Sequence, residues 1–132
     1  MWVTPKTNWT KDDYFNAVDF NRIKNNLEHL RELSIKVYKD FSIKSLGKDR
    51  SYSDYFYADE INTLEDNLDK INENTLKTPY GNKIVYKDNG NTMTFTELNR
   101  IESAILDIYD KLVNQLDGRR CFTWSFGEKG GL

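Results

Sequence analysis

One cysteine, one histidine and two prolines are all that this chain of 132 residues holds of those three types. The lone Cys121 excludes an internal disulfide and a multi-cysteine zinc site, and suits synthesis in a reducing cytoplasm. The lone His29 falls off the apolar seam of its helical stretch and reads as a solvated surface residue, not a base or ligand. No apolar run approaches the ~18 residues of a membrane span, and Met1–Lys6 lacks the greasy core of a signal peptide. An excess of charge is missing too. The net charge is −2 with the signs interspersed, which leaves no basic face for nucleic-acid phosphates. No glycine-rich phosphate loop follows a strand. Asp88-Asn89-Gly90-Asn91 is no calcium loop, because Met93 stands where an EF-hand requires glycine. Asp12–Asp13 and Asp59–Glu60 are paired carboxylates at helix entries, where the helix dipole favours negative charge. No catalytic, cofactor-binding or metal-ligating set emerges, and the chain reads as a non-enzyme.

What is present is a phrase written three times. Asp13-Tyr14-Phe15-Asn16-Ala17-Val18-Asp19-Phe20-Asn21 is answered by Asp54-Tyr55-Phe56-Tyr57-Ala58-Asp59-Glu60-Ile61-Asn62, and more loosely by Asn91-Thr92-Met93-Thr94-Phe95-Thr96-Glu97-Leu98-Asn99. Each copy carries the parts of a helix start. Asn16 caps, Asp19 completes the capping box, and Phe15 staples to Phe20. Thr94, Glu97 and the pair Met93–Leu98 repeat that arrangement, while the second copy puts the poor cap Tyr57 in its place. Apolar residues then recur at spacings of three and four. Helix one reads Phe20, Ile23, Leu27, Leu30, Ser34, Val37, Phe41; helix two Ile61, Leu64, Leu68, Ile71; helix three Leu98, Ile101, Ile105, Ile108, Leu112. These seams suit helices packed along one another. Leu106, Tyr109, Val113 and Leu116 give helix three a second apolar face, which places it centrally. Asn21, Asn62 and Asn99 recur in the first turns and read as amide hydrogen bonds to the preceding loop or a neighbouring helix, with a subunit contact as the alternative. Helix one can run on to Leu46, with Gly47 as its left-handed end, unless it breaks near Ser34 or Asp40–Ser42.

The expected fold is mainly α: a three-helix bundle over 16–117, one domain with the rest of 1–132. Asn89-Gly90 between β-prone runs predicts a hairpin over 83–95. Residues 1–15 read as an extended arm. After Gly118, the strict alternation Cys121-Phe122-Thr123-Trp124-Ser125-Phe126 predicts a strand with one apolar face within 118–132. Aromatics are 14% of the chain, enough to leave some for partners. Trp2, Trp9, Val37, Tyr38, Phe41, Phe122, Trp124 and Phe126 are the candidate partner-binding residues.

Pro5-Lys6-Thr7-Asn8-Trp9, Asp13-Tyr14-Phe15-Asn16, Asp19-Phe20-Asn21-Arg22-Ile23 with Asn26, Leu98-Asn99-Arg100-Ile101-Glu102 and the Gly118-Arg119-Arg120 end together carry a resemblance. The chain resembles small tail-module proteins of tailed bacteriophages and prophages of Gram-positive hosts. That resemblance implies a non-enzymatic virion component of the tail tip, baseplate or fibre attachment. Its partners would be other tail or baseplate proteins, and it would act as a homo-oligomer or in several symmetry-related copies. It implies no cofactor and no nucleic acid. The alternative is a receptor-binding module that grips cell-wall saccharide through Tyr52, Tyr55, Tyr57 and Tyr80.

Overall fold

A computed structural model describes residues 2–13, 15–51, 58–81 and 94–129. Among them the chain is mainly helical: α1 (Ala17–Val37), α2 (Ala58–Glu73) and α3 (Phe95–Lys129) pack mutually as a bundle. The sequence seams are its core. Phe20, Ile23, Leu27, Leu30 and Val37 of α1, Ile61, Leu64, Leu68 and Ile71 of α2, and Leu98, Ile101, Ile105, Ile108 and Leu112 of α3 are all buried in one cluster.

The first helix starts as its sequence predicts. Asn16 Oδ1 accepts from the N–H groups of Val18 and Asp19, and Asp19 Oδ2 accepts from the N–H of Asn16. At α3 only half of the box forms. Thr94 Oγ1 accepts weakly from Glu97 N–H (3.4 Å), while the Glu97 carboxylate turns to Arg100.

Helix one stops at Val37, well short of Leu46. Ser34 Oγ bonds back to the carbonyl of Leu30 (2.6 Å), and Tyr38 leaves helical geometry at φ −117°, ψ −144°. Arg31 then holds the turning chain through the Phe41 carbonyl and Asp40. Gly47 does adopt a left-handed φ of 76°, but in the extended return segment, where it ends no helix.

The helices run parallel. The Arg22–Glu102 and Arg100–Glu65 ion pairs both join residues in the first two turns of their helices, so the three entries lie at one end. His29 and Tyr109, at the same sequence separation as Arg22 and Glu102, meet further down. Parallel helices need long connections. Residues 38–51 accordingly return toward the entry end, with Lys44 on α2 and Arg50 on α1.

Two expectations are corrected. The strand over 121–126 is part of α3, whose backbone stays helical to Lys129. Extending an existing helix avoids the nucleation cost that a new edge strand must meet, and Phe122 and Phe126 stand at i and i+4 as well as in alternation. The hairpin over 83–95 lies mostly outside the described residues. Its last members, Thr94 and Phe95, cap and open α3, and no strand occurs among the described residues.

Candidate functional site

Among the described residues, the most concentrated polar chemistry surrounds Glu102, a carboxylate with no solvent exposure in the first turns of α3. Arg22 of α1 reaches it as a fork, Nε to Oε1 at 2.7 Å and a terminal nitrogen to Oε2 at 2.8 Å. The N-terminal arm supplies two more donors: the backbone N–H of Lys6 (3.1 Å) and the indole N–H of Trp9. Arg22 also pairs with Asp19 one turn earlier (3.0 Å), and Lys6 Nζ lies 4.3 Å from the Trp9 ring centre. Burial works against the guanidinium charge of Arg22, but Glu102 and Asp19 outweigh it and hold its pKa above the ordinary arginine value. A buried carboxylate with this many donors is satisfied, and it is committed to joining three segments.

The arrangement recurs. Arg100, one residue after Asn99 as Arg22 is after Asn21, pairs with Glu97 one turn earlier and with Glu65 on the neighbouring α2. Glu65 follows Asn62 at the interval by which Glu102 follows Asn99. A third pair, from α2 to α1, would join positions 63 and 24. There the chain has Thr63 in place of the arginine and Lys24 in place of the glutamate, so both partners of the pair are lost together. Lys24, only 3% exposed, instead donates to the Gly47 carbonyl (2.8 Å) and pairs with Asp49 (2.9 Å), and Arg50 pairs with Glu60 at the entry of α2.

Asparagines tie the extended segments to the helices in one recurring way. Each accepts through Oδ1 from a residue's N–H and donates through Nδ2 to the same residue's carbonyl. Asn21 holds Arg50 (2.6 and 2.9 Å) and Asn26 holds Val3 (2.9 and 2.7 Å). Asn67 holds Lys44 (3.0 and 2.9 Å), Asn72 holds Thr78 (3.1 and 2.6 Å) and Asn99 holds Trp9 (2.8 and 3.0 Å). The positions obey the internal repeat: Val3 precedes Asn26, and Lys44 precedes Asn67, by 23 residues. At the corresponding place on α3 stands Ala104, which cannot make such a clamp.

The candidate partner residues divide. Trp9 and Val37 are buried at 3% and 2% exposure, so neither offers a face to a neighbour unless the chain opens. Trp2 is half-buried, stacked on Tyr109 with ring centres 3.9 Å apart and planes 8° off parallel. That stack covers part of the second apolar face of α3. His29 tilts against both rings, so it is half-buried and not the solvated residue expected. Phe41 packs on the core edge and Tyr38 is exposed. Phe122, Trp124 and Phe126 fall on the helical backbone of α3. Of the tyrosines considered for saccharide, Tyr80 donates to Asp107 (2.7 Å), and burial together with that bond raises its phenol pKa. Tyr52, Tyr55 and Tyr57 lie outside the described residues.

A cleft of about 290 Å³ opens between α1 and the return segment, lined by Glu28, Arg31, Glu32, Ser42, Ile43, Lys44 and Ser45. Its charges are mixed. Among the described residues no cluster of His, Cys, Asp and Glu is arranged to hold a metal ion, and no helix is long and apolar enough to cross a membrane.

Sequence reasoning missed Arg22, Glu65, Arg100 and Glu102 as a set. The available signal was a glutamate at a fixed step after two of the three recurrent asparagines, beside a seam residue. Compared with protein-family models, curated proteins and solved structures, the chain matches none of them.

Proposed function

We propose that this chain is a non-enzymatic structural protein of a bacteriophage virion, a part of the tail or baseplate held among other tail proteins. The resemblance of its helix-entry phrases and its Gly118-Arg119-Arg120 end to phage tail modules suggests the class. The observation that carries the reading is how the buried polar groups are used. Glu102 joins α3 to α1 and to the arm, Lys24 holds the return segment, and five asparagines pin extended chain to helix. Such a polar interior invests in rigidity and in a fixed course for the connecting segments, which a virion part requires.

Particles purified from a host carrying the gene test this. Mass spectrometry should find the chain at a fixed ratio to the major tail protein, and immunogold should label one end of the tail. Normally assembled particles that lack the chain would overturn the proposal.

A further inference from the structure

The arm before α1 is bound as a peptide ligand is bound. Its hydrogen bonds to the body run to α1 and α3. Asn26 grips Val3 and Asn99 grips Trp9 by both backbone groups, and Glu102 takes the Lys6 N–H and the Trp9 indole. Trp2 stacks on Tyr109 at the far end. Pro5, buried between these grips, restricts the backbone to extended forms, so a detached arm already resembles its seated shape.

We propose that the groove between α1 and α3 accepts this arm from a second copy of the chain, so that neighbouring copies exchange arms. Every contact of the seated arm with α1 and α3 is reproduced when the arm comes from an identical molecule. Closed and exchanged forms then differ chiefly at the connection Thr10–Asp13. All four of its residues are exposed, and among the described residues its turn is closed by surface bonds: Asp13 N–H to the Thr10 carbonyl (3.1 Å), Thr10 N–H and Oγ1 to the Asp13 carboxylate (2.9 and 3.3 Å), and Asp12 N–H to Thr10 Oγ1 (3.4 Å). The Lys6–Asp13 ion pair (3.3 Å) is a further tie across it, with both side chains about one-third exposed, and the Trp9 ring tilts against Phe15 beyond the turn (6.3 Å), a contact that an exchanged arm makes again on the second copy. Bonds of this kind compete with water, so straightening the turn gives up little, and local concentration decides between the two forms. The virion reading is not needed for this exchange, which follows from the groove and the hinge alone.

Two full-chain experiments test it. In the first, Lys11 and Asp12 are deleted so that the turn cannot close. The expected product is a dimer or closed ring by light scattering, with the Trp9 indole N–H still protected from solvent exchange. A folded monomer whose Trp9 indole exchanges freely would overturn the proposal. In the second, unlabelled and ¹⁵N-labelled wild-type chains are mixed at high concentration, equilibrated and joined with an amine-reactive cross-linker. Peptides containing Lys6 should be found linked to peptides of α1 or α3 of the other isotope, at a yield that falls at least tenfold on hundredfold dilution before cross-linking. Links from Lys6 confined to single-isotope pairs would overturn the exchange, and this result decides the matter if the shortened chain fails to fold.

Discussion

Arg22 and Glu102 meet as a two-bond fork across the α1–α3 interface, and Arg100 reaches Glu65 across the α3–α2 interface through one terminal nitrogen. Both arginines also bind an acid one turn earlier on their own helix, Asp19 or Glu97. The bundle is therefore a cycle of three related repeats in which two joints carry a buried ion pair and the third has lost both partners together.

Removing one member of a buried pair leaves the other uncompensated, which typically costs about 3–5 kcal/mol. Glu102→Gln should therefore destabilise the fold by roughly 3 kcal/mol, since the amide still offers one acceptor to the arm. The double variant Arg22→Met with Glu102→Leu should cost less than the sum of its single changes. Urea unfolding of the four proteins gives the coupling directly, and strict additivity would contradict the fork.

The asparagine clamps predict a difference between two substitutions at one position. Asn99→Ala leaves the N–H and carbonyl of Trp9 without their partner, a loss of about 1–2 kcal/mol. Asn99→Asp keeps the acceptor but sets a carboxylate against the Trp9 carbonyl, so at neutral pH it should cost more than alanine. Hydrogen exchange should show the loosening at residues 2–9 first, with α2 unaffected. Equal effects of the two changes would contradict a two-point clamp.

The missing third pair can be tested by restoring it. Lys24→Glu alone should be destabilising by about 2–3 kcal/mol, because it buries a carboxylate and removes the donor to Gly47. Adding Thr63→Arg should recover at least half of that loss, whereas Thr63→Arg alone in the presence of Lys24 should not stabilise. Thermal unfolding of the set decides it. No recovery in the double variant would mean that α1 and α2 do not stand in the relation seen at the other two joints.

His29 gives the arm a pH dependence. Burial against Trp2 and Tyr109 lowers its pKa below the ordinary value of 6.5. Glu32 opposes that shift, while the N-terminal amine and Lys36 add to it. The unfolded chain thus binds the proton more readily than the folded one. The contribution is fully present above pH 6.5 and is lost as pH falls through the lower folded value. Seating of Trp2 should weaken across that window, and His29→Gln should flatten the profile. Tryptophan fluorescence against pH checks both. Seating that tightens on acidification would show the sign to be wrong.

Much of this fold was legible from residue patterns, and the failures have physical causes. The seams Phe20 to Val37, Ile61 to Ile71 and Leu98 to Leu112 announced their burial by spacing alone, and Asn16–Asp19 announced its capping box. The extent of α1 was legible only as alternatives, a run to Leu46 or a break near Ser34 or Asp40–Ser42, and the end at Val37 agrees with a break near Ser34. Its apolar spacing continues through Phe41, and only the bond of Ser34 back to Leu30 and the grip of Arg31 on the returning chain show why the helix ends. Residues 121–126 alternate as a strand would, but the helix already running into them sets their conformation. The arm departs furthest from its sequence pattern. Trp9 reads as a residue free for neighbours, but its indole N–H has a buried acceptor on a helix 93 residues later. Local spacing carries no information on such a pairing. The recurrence of Glu65 and Glu102 after the phrase was the one trace of it in the sequence.

The Trp9 indole N–H tests the central claim most directly, because it reports the arm, α3 and the Glu102 cluster together. In a nuclear magnetic resonance spectrum of the folded chain it should lie well downfield of a free indole and exchange slowly with solvent. It should also move strongly in Glu102→Gln while the Trp2 indole signal, stacked on Tyr109, stays near its position. A Trp9 indole signal at the free position that exchanges rapidly and is indifferent to Glu102 would contradict the account.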